Sequence, residues 1–175
     1  VLTDAGVADV RERIRTIMDD IWSTISFGIG RKNNERVDHE LFDDPAWTIS
    51  ALKPLKQLAR DQLGTVGAGN HYVDIFADEQ DRVWIGVHFG SRGLGHKTAT
   101  HFLREAGAKD GMDVDPCVIR AKSSLGADYL ECMRLAGRYA YAGRDWVCGR
   151  VAKLLGARIL AEVHNHHNFA WREKH

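Results

Sequence analysis

The sequence predicts an α+β fold, with a mixed or antiparallel sheet and helices packed outside it. Three observations predict it. Val7, Val10, Ile14, Ile17 and Ile21 recur at three- and four-residue steps, the stripe of an amphipathic helix. Two apolar segments, Asn70 to Phe76 and Val83 to His88, flank a charged turn from Ala77 to Arg82, the pattern of a hairpin. A long helical stretch from Ser123 to about Leu155 precedes a short apolar strand, Arg158 to Val163.

The first helix stops before Phe27-Gly28-Ile29-Gly30, where glycines break the pattern. Residues Arg31 to Asp44 are polar and read as an exposed loop. Pro54 can open a short helix that runs to about Leu63. Gly64-Thr65-Val66-Gly67-Ala68-Gly69 then forms a loop where backbone can approach another group closely. After the hairpin, Gly90-Ser91-Arg92-Gly93-Leu94-Gly95 leads into a helix from about His96 to Ala106. The long helix carries Leu125, Tyr129, Cys132, Met133, Ala136 and Ala140 on one face. Gly137, Gly143 and Gly149 within it are candidate kinks.

At 175 residues, 44% hydrophobic and 27% charged, the chain (residues 1–175) reads as one domain of ordinary globular composition. Its formal net charge of zero argues against a general basic coat for nucleic acid and leaves room for a local basic pocket. No stretch approaches a membrane span and nothing reads as a signal peptide, so no membrane partner is expected. Cys117, Cys132 and Cys148 are widely spaced and odd in number, which suits reduced thiols in a cytoplasmic protein. The first residue is Val1 rather than Met and His175 stops inside a charged run, so both ends read as cut.

The nine histidines matter more by placement than by count. A hairpin turn centred between Glu79 and Gln80 pairs Phe76 with Val83 and sets His71 opposite His88. Two imidazoles so placed can flank a metal ion; alternatively each hydrogen-bonds nearby backbone. His166 and His167 are adjacent, so on an extended segment only one can join a given metal. Zinc would usually show Cys pairs or a His-Glu-x-x-His helix, and neither is present, but composition does not choose among manganese, iron and zinc. Gly67-Ala68-Gly69-Asn70 is neither a Walker loop nor a dinucleotide fingerprint. Gly90-Ser91-Arg92-Gly93, with its backbone N–H groups and one guanidinium beside His88, reads as a phosphate seat; the alternative for Arg92 is a solvated charge at a helix start.

Together these motifs resemble the RtcB family of RNA ligases. Gly67-Ala68-Gly69-Asn70-His71-Tyr72-Val73-Asp74 is similar to the family's Gly-x-Gly-Asn-His-Phe-x-Glu, and Val87-His88-Phe89-Gly90-Ser91-Arg92-Gly93 to its His-Ser-Gly-Ser-Arg-Gly stretch. His166-His167-Asn168 with Glu173 and His175 resembles its His-Asn…Glu-x-His stretch, and Tyr129 to Arg144 its preceding helix. The likeness runs from about Gly28 to His175. It implies GTP- and Mn²⁺-dependent joining of RNA, through a guanylylated histidine, of 2′,3′-cyclic phosphate or 3′-phosphate ends to 5′-hydroxyl ends. Two Mn²⁺ ions, tRNA halves or broken RNA, and an archease-type activator are the implied partners. His71, His88 and His167 would be manganese ligands. Asn70, His71, Tyr72, Val73, Asp74, His167 and Asn168 would line the guanine nucleotide, and Arg92 would contact the RNA terminal phosphate. His166 receives no role.

Departures accompany the likeness. Family members are much longer; an upstream Asp and metal-bridging Cys, the downstream covalent histidine and a basic stretch beyond it have no counterpart here. Asp74 replaces a Glu, Phe89 replaces a Ser, and Gly143 stands where Asn precedes Arg144. Phe89 is expected to place its ring beside the metal face. The expectation is the central part of such a ligase, unable to ligate by itself. Competing readings are an inactive remnant that binds metal or RNA ends, and an unrelated metal hydrolase using the same histidines.

Overall fold

The computed structural model describes residues 1–109, 111, 114–166 and 169–171. The fold is α+β. Strands β1 (Leu2–Gly6), β2 (Tyr72–Ala77), β3 (Arg82–His88) and β4 (Ile159–Ala161) form one sheet in the order β2-β3-β1-β4, antiparallel at every pairing. Helices α1 (Val7–Thr24), α2 (Lys56–Gln62), α3 (Arg92–Glu105) and α4 (Ser124–Leu155) complete it, with three short 3₁₀ turns between Glu40 and Leu55.

Alternation along the strands sorts the sheet into two faces. Val83 and Ile85 are buried, and Val73, Ile75 and Val87 pack with them against Ile17 and Ile21 of α1 and Val147 and Val151 of α4. The opposite face carries Tyr72 and Phe76, about half exposed at 46% and 50%. On that face Phe76 stacks on Trp84, and the Trp84 indole N–H donates to the Asp78 carboxylate at 2.8 Å.

A second core lies under the other half of α4. Leu41, Phe42, Trp47, Leu52, Leu63, Leu94, Phe102, Leu135 and Tyr139 are buried together. The Tyr139 hydroxyl donates to the Ala59 carbonyl at 2.9 Å, tying α4 to α2. One helix thus serves both cores. Ser123 caps it by accepting from the Gly126 N–H, and it runs unbroken through Gly137, Gly143 and Gly149.

Several expectations need correction. Strand β1 was not foreseen. It is five residues long and is held by remote partners, among them Val83, whose carbonyl accepts from the Thr3 hydroxyl. Residues Arg31 to Asp44 are not wholly an exposed loop, because Val37, Leu41 and Phe42 enter the second core. Helix α3 starts four residues earlier than the glycines suggested. The hairpin register differs by one position. Tyr72, not His71, pairs with His88, and Ala77 pairs with Val83. The Asp78 carboxylate accepts from the backbone N–H of Gln80 and Arg82, and this turn adds a residue to the β2 arm. The three cysteines are free, with Cys132 and Cys148 buried.

Candidate metal and nucleotide site

A cleft of about 600 Å³ opens on the half-exposed face of the hairpin and reaches the start of the segment after β4. Asn70, His71, Tyr72 and His88 line it, joined by Arg144, Asp145, His164 and His166. His88 ends β3 and stacks on its cross-strand partner Tyr72, with ring centroids 5.4 Å apart. His71 sits just before β2, where strand alternation no longer dictates its direction. Its ring lies 6.1 Å from that of His88 despite the shifted register. The two histidines are therefore neighbours by chain geometry, not by direct pairing.

Glycine makes this placement possible. A Cβ on Gly67 would collide with the His71 Nδ1 and with the Arg92 Nη1. The His71 Nδ1 is buried and has no hydrogen-bond partner. Burial lowers the His71 pKa first, then the nearby Arg92 charge, then His88. The ring is thus held neutral at neutral pH, the form a metal requires. Among the described residues no group of three His, Cys, Asp or Glu is gathered closely enough to hold a metal. His167 and Asn168 lie outside the described residues.

Arg92 is not a solvated charge. Its Nε donates to the Thr65 hydroxyl at 3.1 Å and its Nη2 to the Gly28 carbonyl at 2.8 Å. Its backbone has φ 55°, a left-handed value that costs an L-residue roughly 1–2 kcal/mol. Val73 packs toward the core, away from the cleft, while Asp74 is exposed with its Cβ facing Gly86.

Phe89 borders the cleft but lies mostly buried beneath it. It lies just past the end of β3, and its ring is packed in the core at 4% exposure. There its ring lies over Gly143, where a Cβ would come within 3.1 Å of it. The two positions noted as departures from the resemblance are thus in contact.

The cleft also contains a cluster that motif reading did not assign. The Arg144 side chain, only 9% exposed, donates from Nη1 to the Phe89 carbonyl at 2.8 Å and from Nε to the His164 Nε2 at 2.9 Å. The His164 Nδ1 is 3.1 Å from the Asp145 carboxylate. A ring that accepts at Nε2 must be neutral and carry its proton on Nδ1, in line with a pKa pushed down to about 4, chiefly by burial and then by Arg144. The i, i+2 spacing of His164 and His166 was the signal available in the sequence; both rings pack edge-on against Tyr141.

A family model described as tRNA-splicing ligase RtcB matches residues 46–175. The chain belongs to the RtcB family. Among relatives, the RNA-splicing ligase RtcB of Escherichia coli K12 is 32% identical over 65% of this chain and 32% of its own length. The tRNA-splicing ligase RtcB of Nanoarchaeum equitans is 28% identical over 98% of this chain and 43% of its own length. That of Thermococcus kodakarensis is 25% identical over 84% and 41%. The chain therefore spans less than half the length of these RtcB relatives. The match contains every residue of the His71, His88–Arg92 and Arg144 arrangement. No helix among the described residues is long and apolar enough to cross a membrane.

Proposed function

We propose that this chain supplies the metal- and nucleotide-binding part of an RtcB-type RNA ligase, GTP- and Mn²⁺-dependent, that joins RNA 2′,3′-cyclic phosphate or 3′-phosphate ends to 5′-hydroxyl ends. The observation that carries the reading is the buried, unpartnered Nδ1 of His71 beside the His88 ring, at a cleft within the matched segment. An orphaned imidazole nitrogen buried against Arg92 lacks a structural explanation and fits a metal ligand. His71 and His88 would hold the ion from the described residues, with His167 the proposed third ligand. Mn²⁺, when bound, supplies neutralisation of charge on phosphoryl oxygens.

The remaining roles belong to side chains. Tyr72, half exposed and stacked on His88, offers a ring face to the guanine base, with Asn70 and Asp74 beside it. The Arg92 Nε and Nη2 are committed to Thr65 and Gly28, so a phosphate oxygen would be met by Nη1, above Gly67. RNA, either tRNA halves or broken strands, and an archease-type activator remain proposals that rest on the family likeness.

Calorimetric GTP titration tests the reading. GTP should bind with Mn²⁺ present and far less without it. His71→Ala and His88→Ala should each weaken Mn²⁺-dependent binding by tenfold or more. Trp22→Ala, on exposed helix surface, should not. Undiminished GTP binding in both histidine variants would sink the proposal.

A further inference from the structure

The guanidinium of Arg144 has contacts to which the family likeness assigns no role. It is 9% exposed, in the middle of α4, where a charge is costly unless each donor is satisfied. Its donors go to two separate segments. Nη1 donates to the carbonyl of Phe89, the residue after His88. Nε donates to His164, and Nη2 lies 3.4 Å from the Asn165 carbonyl and 3.5 Å from the His166 Nδ1. The Tyr141 ring lies 4.9 Å beneath the guanidinium and also touches His164 and His166 edge-on. Asp145 holds the far side of His164.

We propose that Arg144 is a positioning residue that fixes the end of β3, which carries His88, against residues 164–166, which lead into His167. Only a planar, multi-donor fork can bridge the two at once. β4 ends at Ala161, so beyond it the strand ladder no longer holds this segment, and the guanidinium takes over. The Asp145–His164 pair is part of the brace, not a proton relay toward the cleft, because Arg144 occupies the His164 Nε2. The proposal rests on the reading that His88 and the segment after β4 share one metal.

Arg144→Lys keeps a cation that can reach the Phe89 carbonyl and loses the fork. In the full chain, its Mn²⁺ affinity by calorimetry should fall by tenfold or more. Amide hydrogen exchange at residues 163–166 should accelerate while that of β3 stays slow. Leu135→Ala, a core truncation in the other cluster, controls for general destabilisation and should leave Mn²⁺ affinity within twofold below its unfolding range. Should Arg144→Lys not fold, His164→Gln tests the same brace by the same exchange measurement. Unchanged Mn²⁺ affinity in Arg144→Lys, or an equal loss in Leu135→Ala, would overturn the proposal. His88→Ala separates the two ideas. If it weakens Mn²⁺ binding and Arg144→Lys does not, only the brace fails; if His88→Ala changes nothing, the metal reading fails and the brace with it.

Discussion

Phe89→Ser, the residue of the family motif, should destabilise this chain by about 4 kcal/mol. The ring is 4% exposed and packs with Val66, Ile85 and Val147, and its removal leaves a cavity that the rigid helix below cannot close. Buried Phe truncations cost roughly 3–5 kcal/mol, and the new hydroxyl adds a polar group to an apolar site. Gly143→Asn should also destabilise, by roughly 1–3 kcal/mol, because its Cβ would stand 3.1 Å from the Phe89 Cε2 and 3.8 Å from Leu63, leaving no room for the amide. Put together, the two changes should cost less than their sum, since the Asn enters space the ring vacates. We expect a coupling of at least 1.5 kcal/mol, within the range for residues in contact. Urea unfolding of the four proteins, followed by fluorescence, gives all terms of the cycle. Additivity within about 0.5 kcal/mol would refute the idea that these two departures compensate each other.

Gly67→Ala should push aside both His71 and Arg92 and lower Mn²⁺ affinity by tenfold or more, checked by calorimetry against an unchanged far-UV spectrum. His166→Ala should mainly cost about 1–2 kcal/mol of stability, because its ring packs on Tyr141 and Phe169, whereas His167→Ala should mainly cost metal binding; equal metal loss in both would contradict this division. Stability should also fall in acid through His164. Its folded pKa of about 4 lies below the unfolded value of 6.5, so its contribution is complete above pH 6.5 and is lost as pH falls toward 4. That gap corresponds to roughly 3–4 kcal/mol at most, and His164→Asn should flatten the decline in urea midpoint between pH 7 and pH 4.5.

Much of the architecture was legible in local pattern. The stripe from Val7 to Ile21 foretold α1, and the apolar runs on either side of Glu79-Gln80 foretold the hairpin. Its register was not legible, because the Asp78 side chain, binding two backbone N–H groups of the turn, shifts the pairing by a residue. Strand β1 was hidden because its stability comes from Val83, Ile85 and β4, all remote in sequence. Of the site, His71, His88 and Arg92 were marked by their Gly-rich neighbours. Arg144 was named only within the helix that resembles the family's, and its contacts were not legible, since a single arginine on a helix looks the same in sequence whether it faces solvent or a pair of strand ends.

The most direct test of the central claim is a Mn²⁺ titration followed by paramagnetic broadening of the backbone and histidine-ring resonances. Sub-stoichiometric Mn²⁺ should first broaden His71, His88 and the Gly67–Asn70 loop, while the hairpin tip at Glu79 and the outer face of α1 at Trp22 stay sharp. Broadening centred elsewhere, or no site-specific broadening at all, would contradict it.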